Sequence, residues 1–129
     1  MSRLAFLSVI TILVINASCT KNNCREDCSE QSLINNWTFV RSYMDIGNGT
    51  GSWHPAPPDQ FMQFNADGSF SSNVMPFEHY NRYQVLNDST IRFFETPAHF
   101  NDLQYGLDCE GLMMNPLCFE KCEFRFERR

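Results

Sequence analysis

Positive charge is scarce in this chain: 10 Lys and Arg stand against 15 Asp and Glu, for a formal net charge of −5. No basic cluster exists to displace counterions from phosphates, which argues against a nucleic-acid partner. A Ser-His-Asp arrangement, a nucleophile elbow and a phosphate-binding loop are also missing. Nothing therefore points to an enzyme or a cofactor. There is no internal repeat and no low-complexity tract. The one long apolar run, residues 4–15, is shorter than the ~20 residues a membrane-crossing helix needs. What remains is globular in composition, 43% hydrophobic and 19% charged, where disorder would need fewer apolar residues and more net charge. A length of 129 residues accommodates one domain and not two with separate cores.

The first residues read as an export signal, residues 1–18. Arg3 supplies the positive start, residues 4–15 the apolar core, and Asn16, Ala17 and Ser18 a small or polar exit before Cys19. Ala17-Ser18-Cys19 resembles a bacterial lipobox, in which cleavage occurs just before a lipid-modified cysteine. That resemblance implies acylation of Cys19, a polar tether over residues 19–32, and attachment to a lipid bilayer in the cell envelope. Position 20 is Thr, not Asp, which favours the outer membrane, on its periplasmic side or at the surface. One acyl chain binds a bilayer only marginally, at ~0.8 kcal/mol per buried CH2. The several chains of mature bacterial lipoproteins would make the attachment stable.

With Cys19 assigned to lipid, Cys24, Cys28, Cys109, Cys118 and Cys122 remain. In an oxidising compartment these are disulfide candidates. Five cannot all pair, and the sequence does not select a pairing. Cys118 and Cys122 would lie roughly 13 Å apart in a straight strand at ~3.3 Å per residue, beyond disulfide reach. They can join only where the chain turns, which Pro116 permits. A thiolate metal site is the competing reading, but the spacing is not that of zinc ligands, and no metal is expected.

Aromatic residues make up 14% of the chain, with 12 Phe, which favours strands. A short helical turn is expected within residues 26–34. From Trp37 the pattern alternates with period two, placing Trp37, Phe39 and Tyr43 on one face. Residues 45–59, rich in Gly and Pro, are expected to form a long loop. Strands follow at 61–64 and 69–74 around the hairpin signal Asn65-Ala66-Asp67-Gly68, then at 80–86 and 90–95 around Asn87-Asp88-Ser89. Thr96-Pro97-Ala98-His99 breaks the pattern. Weaker strands are expected near 103–107 and 111–114, and a strongly alternating one over 119–126 turns Cys122, Phe124 and Phe126 to one side. Seven or eight short antiparallel strands with tight turns and no long helix imply an all-β sandwich or up-and-down barrel.

Trp37, the stretch Phe64-Asn65-Ala66-Asp67-Gly68-Ser69-Phe70, Tyr83-Gln84-Val85 leading to Asn87-Asp88-Ser89-Thr90-Ile91, and Cys118-Phe119-Glu120-Lys121-Cys122 together resemble the small lipocalin-like lipoproteins of Bacteroidetes. The resemblance spans about residues 33–128. It implies an antiparallel up-and-down β-barrel of the calycin type over residues 33–129, with an apolar interior that can hold a small hydrophobic ligand. A barrel of about eight strands is just wide enough either to fill itself with side chains or to hold one small molecule. In the second case the domain is a structural or interaction module that meets another envelope protein. Most aromatic residues are needed for a core. Trp53, with its neighbour His54 in the Gly- and Pro-rich segment, is the exception and a candidate for contact with a ligand or partner at the barrel mouth. His54, His79 and His99 are too scattered to suggest a metal, and Glu78-His79 would point to opposite faces of a strand.

Overall fold

The computed structural model describes residues 32–118 and 120–129. The expectations for residues 1–31, including Cys19, Cys24, Cys28 and most of the N-terminal helical turn, lie outside these residues. The last of that turn, residues 33–34, is a bend and not helical.

Nine antiparallel strands form the domain: β1 (Asn36–Met44), β2 (Ser52–Pro55), β3 (Phe61–Phe64), β4 (Phe70–Ser72), β5 (Arg82–Asn87), β6 (Thr90–Thr96), β7 (His99–Asp108), β8 (Gly111–Asn115) and β9 (Cys122–Arg128). Their lateral order is β4-β3-β1-β9-β8-β7-β6-β5, with β2 also paired to β1. β2 lies against the second half of β1 and β3 against the first. The two act as one interrupted stave, so the wall counts eight. β4 and β5 close it through a bridge between Ser69 and Arg82, flanked by hydrogen bonds from Phe70 N–H to Asn81 O and from Tyr83 N–H to Gly68 O. The result is the expected up-and-down barrel, nearly closed.

The turns explain the meander. At the β3–β4 hairpin Gly68 takes φ +81°, a conformation glycine adopts without strain, while the Asp67 carboxylate accepts hydrogen bonds from Ser69 N–H and Oγ–H. Gly111 opens β8 at φ +129°, where any Cβ would collide with the carbonyl oxygen of Phe126.

Three sequence expectations are corrected. Residues 45–59 are not all loop, because β2 runs through them. Its backbone pairs with β1 from Arg41 to Met44 although Gly and Pro flank it on both sides. The strand β7 is ten residues long and begins at His99, where only a short strand near 103–107 was expected. Finally, Tyr43 does not share a face with Trp37 and Phe39. The pairing of β1 with β9 shifts between Phe39 and Arg41, leaving Val40 as a bulge. One extra residue inverts the alternation beyond it, so Ser42 turns inward beside Phe124 and Tyr43 turns out.

The barrel interior is occupied by its own side chains. Trp37, Met62, Phe77, Ile91, Phe93, Leu112 and Met114 are inaccessible to solvent. Phe93 packs against Phe64, Phe70, Phe77 and Tyr80 at centroid distances of 4.8–6.0 Å. Phe77 reaches across to Phe124, which stacks with Phe39, and Phe39 in turn meets Phe126. All but the stacked Phe93–Tyr80 pair are tilted or edge-on, and both kinds of arrangement are favourable between aromatic rings. Phe77 arrives from a single 3-10 turn, Phe77–His79, that dips into one end. At the other end the Trp37 indole N–H donates to Leu33 O at 2.9 Å, satisfying the one polar group of that side chain. Each fully buried large apolar side chain contributes roughly 1.5–3 kcal/mol of transfer free energy, so this ring network holds the fold together.

Candidate functional site

The bulge at Val40 builds the most distinctive surface. Beyond it, Arg41 and Tyr43 project outward from β1, and β2 carries Trp53 directly opposite Tyr43. The Tyr43 and Trp53 rings meet edge to face at 5.5 Å. The Arg41 guanidinium covers the Trp53 ring at 4.6 Å, and the Lys121 ammonium lies 5.6 Å from the Tyr43 ring centre. Cations held over aromatic faces at such distances are attracted by the ring quadrupole. The ring of Tyr43 lies against Gly51, where any larger residue would collide with it. Trp53 remains 43% exposed despite these contacts, so it presents a fixed apolar surface to solvent.

The connections at this end of the barrel carry further exposed apolar side chains. Met44 and Ile46 follow Tyr43, and Leu117 stands in the neighbouring β8–β9 connection. The two loops are joined by a hydrogen bond from Asp45 N–H to Lys121 O, and the β8–β9 connection is closed on itself by the Cys118–Cys122 disulfide, whose Cα atoms are 6.2 Å apart. The turn expected near Pro116 permits this pairing. The Asp45 carboxylate accepts hydrogen bonds from Gly47 and Gly49 N–H, which fixes the β1–β2 loop that carries Ile46.

The sequence-predicted residues fall as follows. Trp53 sits on the outer wall near the rim, on a strand. His54 is exposed on the same strand with Nε2 3.0 Å from Ser52 Oγ, and it does not join the aromatic-cation cluster. Cys109 is disulfide-bonded, as are Cys118 and Cys122. Glu78 and His79 lie on the 3-10 turn and not on a strand, so their side chains approach to 3.9 Å at the surface. No group of three or more His, Cys, Asp or Glu among the described residues is arranged to hold a metal ion. Arg41, Tyr43 and Lys121 were missed by sequence reasoning. Their only signal was Arg-x-Tyr on an alternating strand, and the bulge that brings them to Trp53 leaves no mark in composition.

A groove of about 650 Å³ runs beneath this cluster along the outer faces of β1, β9 and β8. It is lined by Val40, Arg41, Cys109, Glu110, Arg125 and Arg128, among others. Arg125 lies directly opposite Arg41, a like-charge pair that is unfavourable in itself. Carboxylates offset it. Arg125 donates to Asp108 at 2.9 Å and Glu123 at 2.6 Å. Burial opposes its charge, but these hydrogen bonds prevail and hold its pKa above the ordinary value. Among the described residues Arg41 has only the Glu110 carboxylate as an ion-pair partner, at 3.8 Å.

A second groove of about 570 Å³ crosses β5 and β6, lined mainly by Tyr83, Phe94 and Pro97 with polar neighbours. Close to it, Arg92 and Asp102 form a bidentate pair at 2.6 and 2.8 Å. Hydrogen bonding raises the pKa of the arginine and lowers that of the carboxyl. Both grooves lie on the outside of the barrel. The chain matches no family model, no curated protein and no solved structure.

Proposed function

We propose that this domain is a lipid-anchored interaction module of the cell envelope: a barrel filled by its own aromatic side chains that engages another protein through the rim around Trp53. The observation that carries this reading is the continuous ring network from Phe64 through Phe93 and Phe77 to Phe124 and Phe126. A hydrophobic guest in the interior would have to displace side chains already at contact distance, at a cost of several kcal/mol per ring. The rim supplies what a docking surface needs. It has a part-exposed Trp with an Arg over its face, the residue types enriched in binding hot spots, and the loops at the same end expose Met44, Ile46 and Leu117.

Export and acylation of Cys19 remain part of the proposal, supported by the charged start, apolar run and Ala-Ser-Cys exit of residues 1–19. A photo-reactive amino acid placed at Ile46 in intact cells tests the module. It should capture one protein reproducibly, and Trp53→Ala should abolish the capture. Absence of a specific adduct at both Ile46 and Leu117 would end this reading.

A hydrophobic ligand has a different seat available, the outer groove lined by Tyr83, Phe94 and Pro97. Fatty acids that quench Tyr83-dependent emission, with the Phe94→Ser variant blind to them, would favour it.

A further inference from the structure

We propose that the partner protein is held by β-strand addition: an extended segment of it, carrying acidic side chains, pairs with the free edge of β2. This rests on the reading of the surface around Trp53 as a docking site, and it names the chemistry of what docks there.

Only one edge of β2 is in use. Arg41 lies opposite Pro55, Ser42 opposite His54, Tyr43 opposite Trp53 and Met44 opposite Ser52. Ala56 N–H donates to Val40 O at 3.0 Å, so the backbone groups of Ser52 and His54 face β1. In an antiparallel ladder alternate residues turn their N–H and C=O to opposite edges. Trp53 and Pro55 therefore turn theirs away from β1. β2 pairs with no other described strand, and among the described residues none takes the N–H or C=O of Trp53. β3 continues the same stave, and its neighbour β4 ends at Ser72. An added strand would prolong the line of β4 alongside β2, whose four residues are all exposed.

Unpaired edges are templates for pairing with another chain. A second copy of this chain is a poor occupant. Antiparallel pairing of two β2 strands about Trp53 sets each Pro55 opposite Gly51 of the other copy. Proline has no N–H to give, so a hydrogen bond is lost at both ends. The same pairing brings two Arg41 side chains to one face.

The outer face selects the segment. The Arg41 guanidinium lies 4.6 Å from the Trp53 ring centre, and the Lys121 ammonium 5.6 Å from that of Tyr43. Among the described residues Lys121 has no ion-pair partner, and Arg41 has only Glu110 as one. The Asp45 carboxylate is occupied by Gly47 and Gly49 N–H. The segment residue opposite Trp53 is then apolar and rests on the exposed part of the indole. Residues two positions to either side lie opposite Pro55 and Gly51. A long carboxylate opposite Pro55 reaches toward Arg41, two strand spacings or roughly 10 Å away. One opposite Gly51 passes over a residue without a side chain toward Lys121. The pattern is acidic, polar, apolar, polar, acidic. In such complexes main-chain hydrogen bonds give affinity and alternate side chains give specificity.

The probe is a fluorescein-labelled, end-capped peptide, Glu-Thr-Val-Thr-Glu, titrated into the full-length mature protein and read by anisotropy. Methylation of the valine nitrogen, whose N–H must donate to Trp53 O, should weaken binding at least tenfold. Methylation of either threonine nitrogen, whose N–H faces away, should change it less than threefold. Exchange of the Trp53 amide hydrogen should slow at least tenfold at saturation. Arg41→Gln should weaken binding several-fold and flatten its dependence on salt. Equal effects of the two methylations, an unprotected Trp53 amide, or no binding at millimolar peptide would each overturn strand addition. Protection of that amide in the protein alone would overturn it too, in favour of a second copy where protection grows with protein concentration. In all these cases, continued capture from Ile46 in cells leaves the docking reading standing, whereas loss of capture ends both.

Discussion

Where β1 meets β9, seven residue pairs from Trp37–Arg128 to Met44–Cys122 hold the wall together. Where β4 meets β5, a single bridge between Ser69 and Arg82 does so, with two flanking hydrogen bonds. The inner faces differ as well. β9 sends Phe124 and Phe126 into the core, whereas Val85 on β5 is 46% exposed although it lies opposite the fully buried Ile91. The comparison separates two jobs. The β8–β9–β1 wall carries the packing and displays the candidate surface, so the Trp53 cluster rests on the stiffest part of the molecule. The β4–β5 seam is closed with the help of a side-chain tie instead: Tyr83 donates its hydroxyl to Asn65 O at 2.8 Å.

The largest effect that would sharpen this contrast comes from the core. Phe93→Ala, which empties the centre of the ring network, should cost about 3–5 kcal/mol in chemical denaturation. Val85→Ala at the seam should cost under about 1 kcal/mol, since little area is lost from burial. Comparable losses would break the distinction. Next in size is Gly111→Ala on the stiff wall. The positive φ alone costs about 1–3 kcal/mol, and the collision with Phe126 O adds to it. A denaturation midpoint within error of the native protein would contradict the geometry. Tyr83→Phe should lower stability by roughly 1 kcal/mol through the lost hydrogen bond to Asn65. In hydrogen exchange, amides of residues 84–87 should exchange well before those of β1 and β9.

The smallest effect is pH dependence at the seam. Burial, aided by the nearby Asp67 charge, raises the Tyr83 pKa above 10.0, and burial likewise raises that of Tyr105. A raised folded-state pKa gives stability that is complete below the unfolded value and is lost as pH climbs through the folded one. The seam should therefore loosen above about pH 10, and Tyr83→Phe should remove part of that alkaline sensitivity. The hydrogen bonds from Ser69 lower the Asp67 pKa. Their contribution is present above the ordinary carboxylate range and fades as pH falls below it, visible as faster exchange in the β3–β4 hairpin. A flat profile at both extremes would deny the seam its side-chain ties.

The fold was largely legible because its strands obey period two and its hairpins carry their own turn residues. Asn65-Ala66-Asp67-Gly68 and Asn87-Asp88-Ser89 both turn where their chemistry says they should. Failures occurred where long-range pairing overrode local preference. Ser52–Pro55 becomes a strand only because β1 offers it an edge. Apart from Phe100, the first residues of β7 are polar, and they read as loop until β6 pairs with them. The site was harder to read. Trp53 stood out as an aromatic residue without a packing reason, but its partners depend on one unpaired residue at Val40 that reverses the face of Tyr43. No period count detects a bulge. Phe77 in its 3-10 turn was equally hidden, since a short segment that dips into a barrel end looks like any other connection.

The strongest pairing in this wall joins the first strand of the domain to its last. Contacts between segments so distant along the chain are slow to form, because loop closure must be paid for before they reward it. A growing chain that lacks β9 leaves one edge of β1 unpaired, and Trp37, Phe39 and Leu112 keep one apolar side uncovered. Closure of the barrel therefore waits for the final strand of the domain.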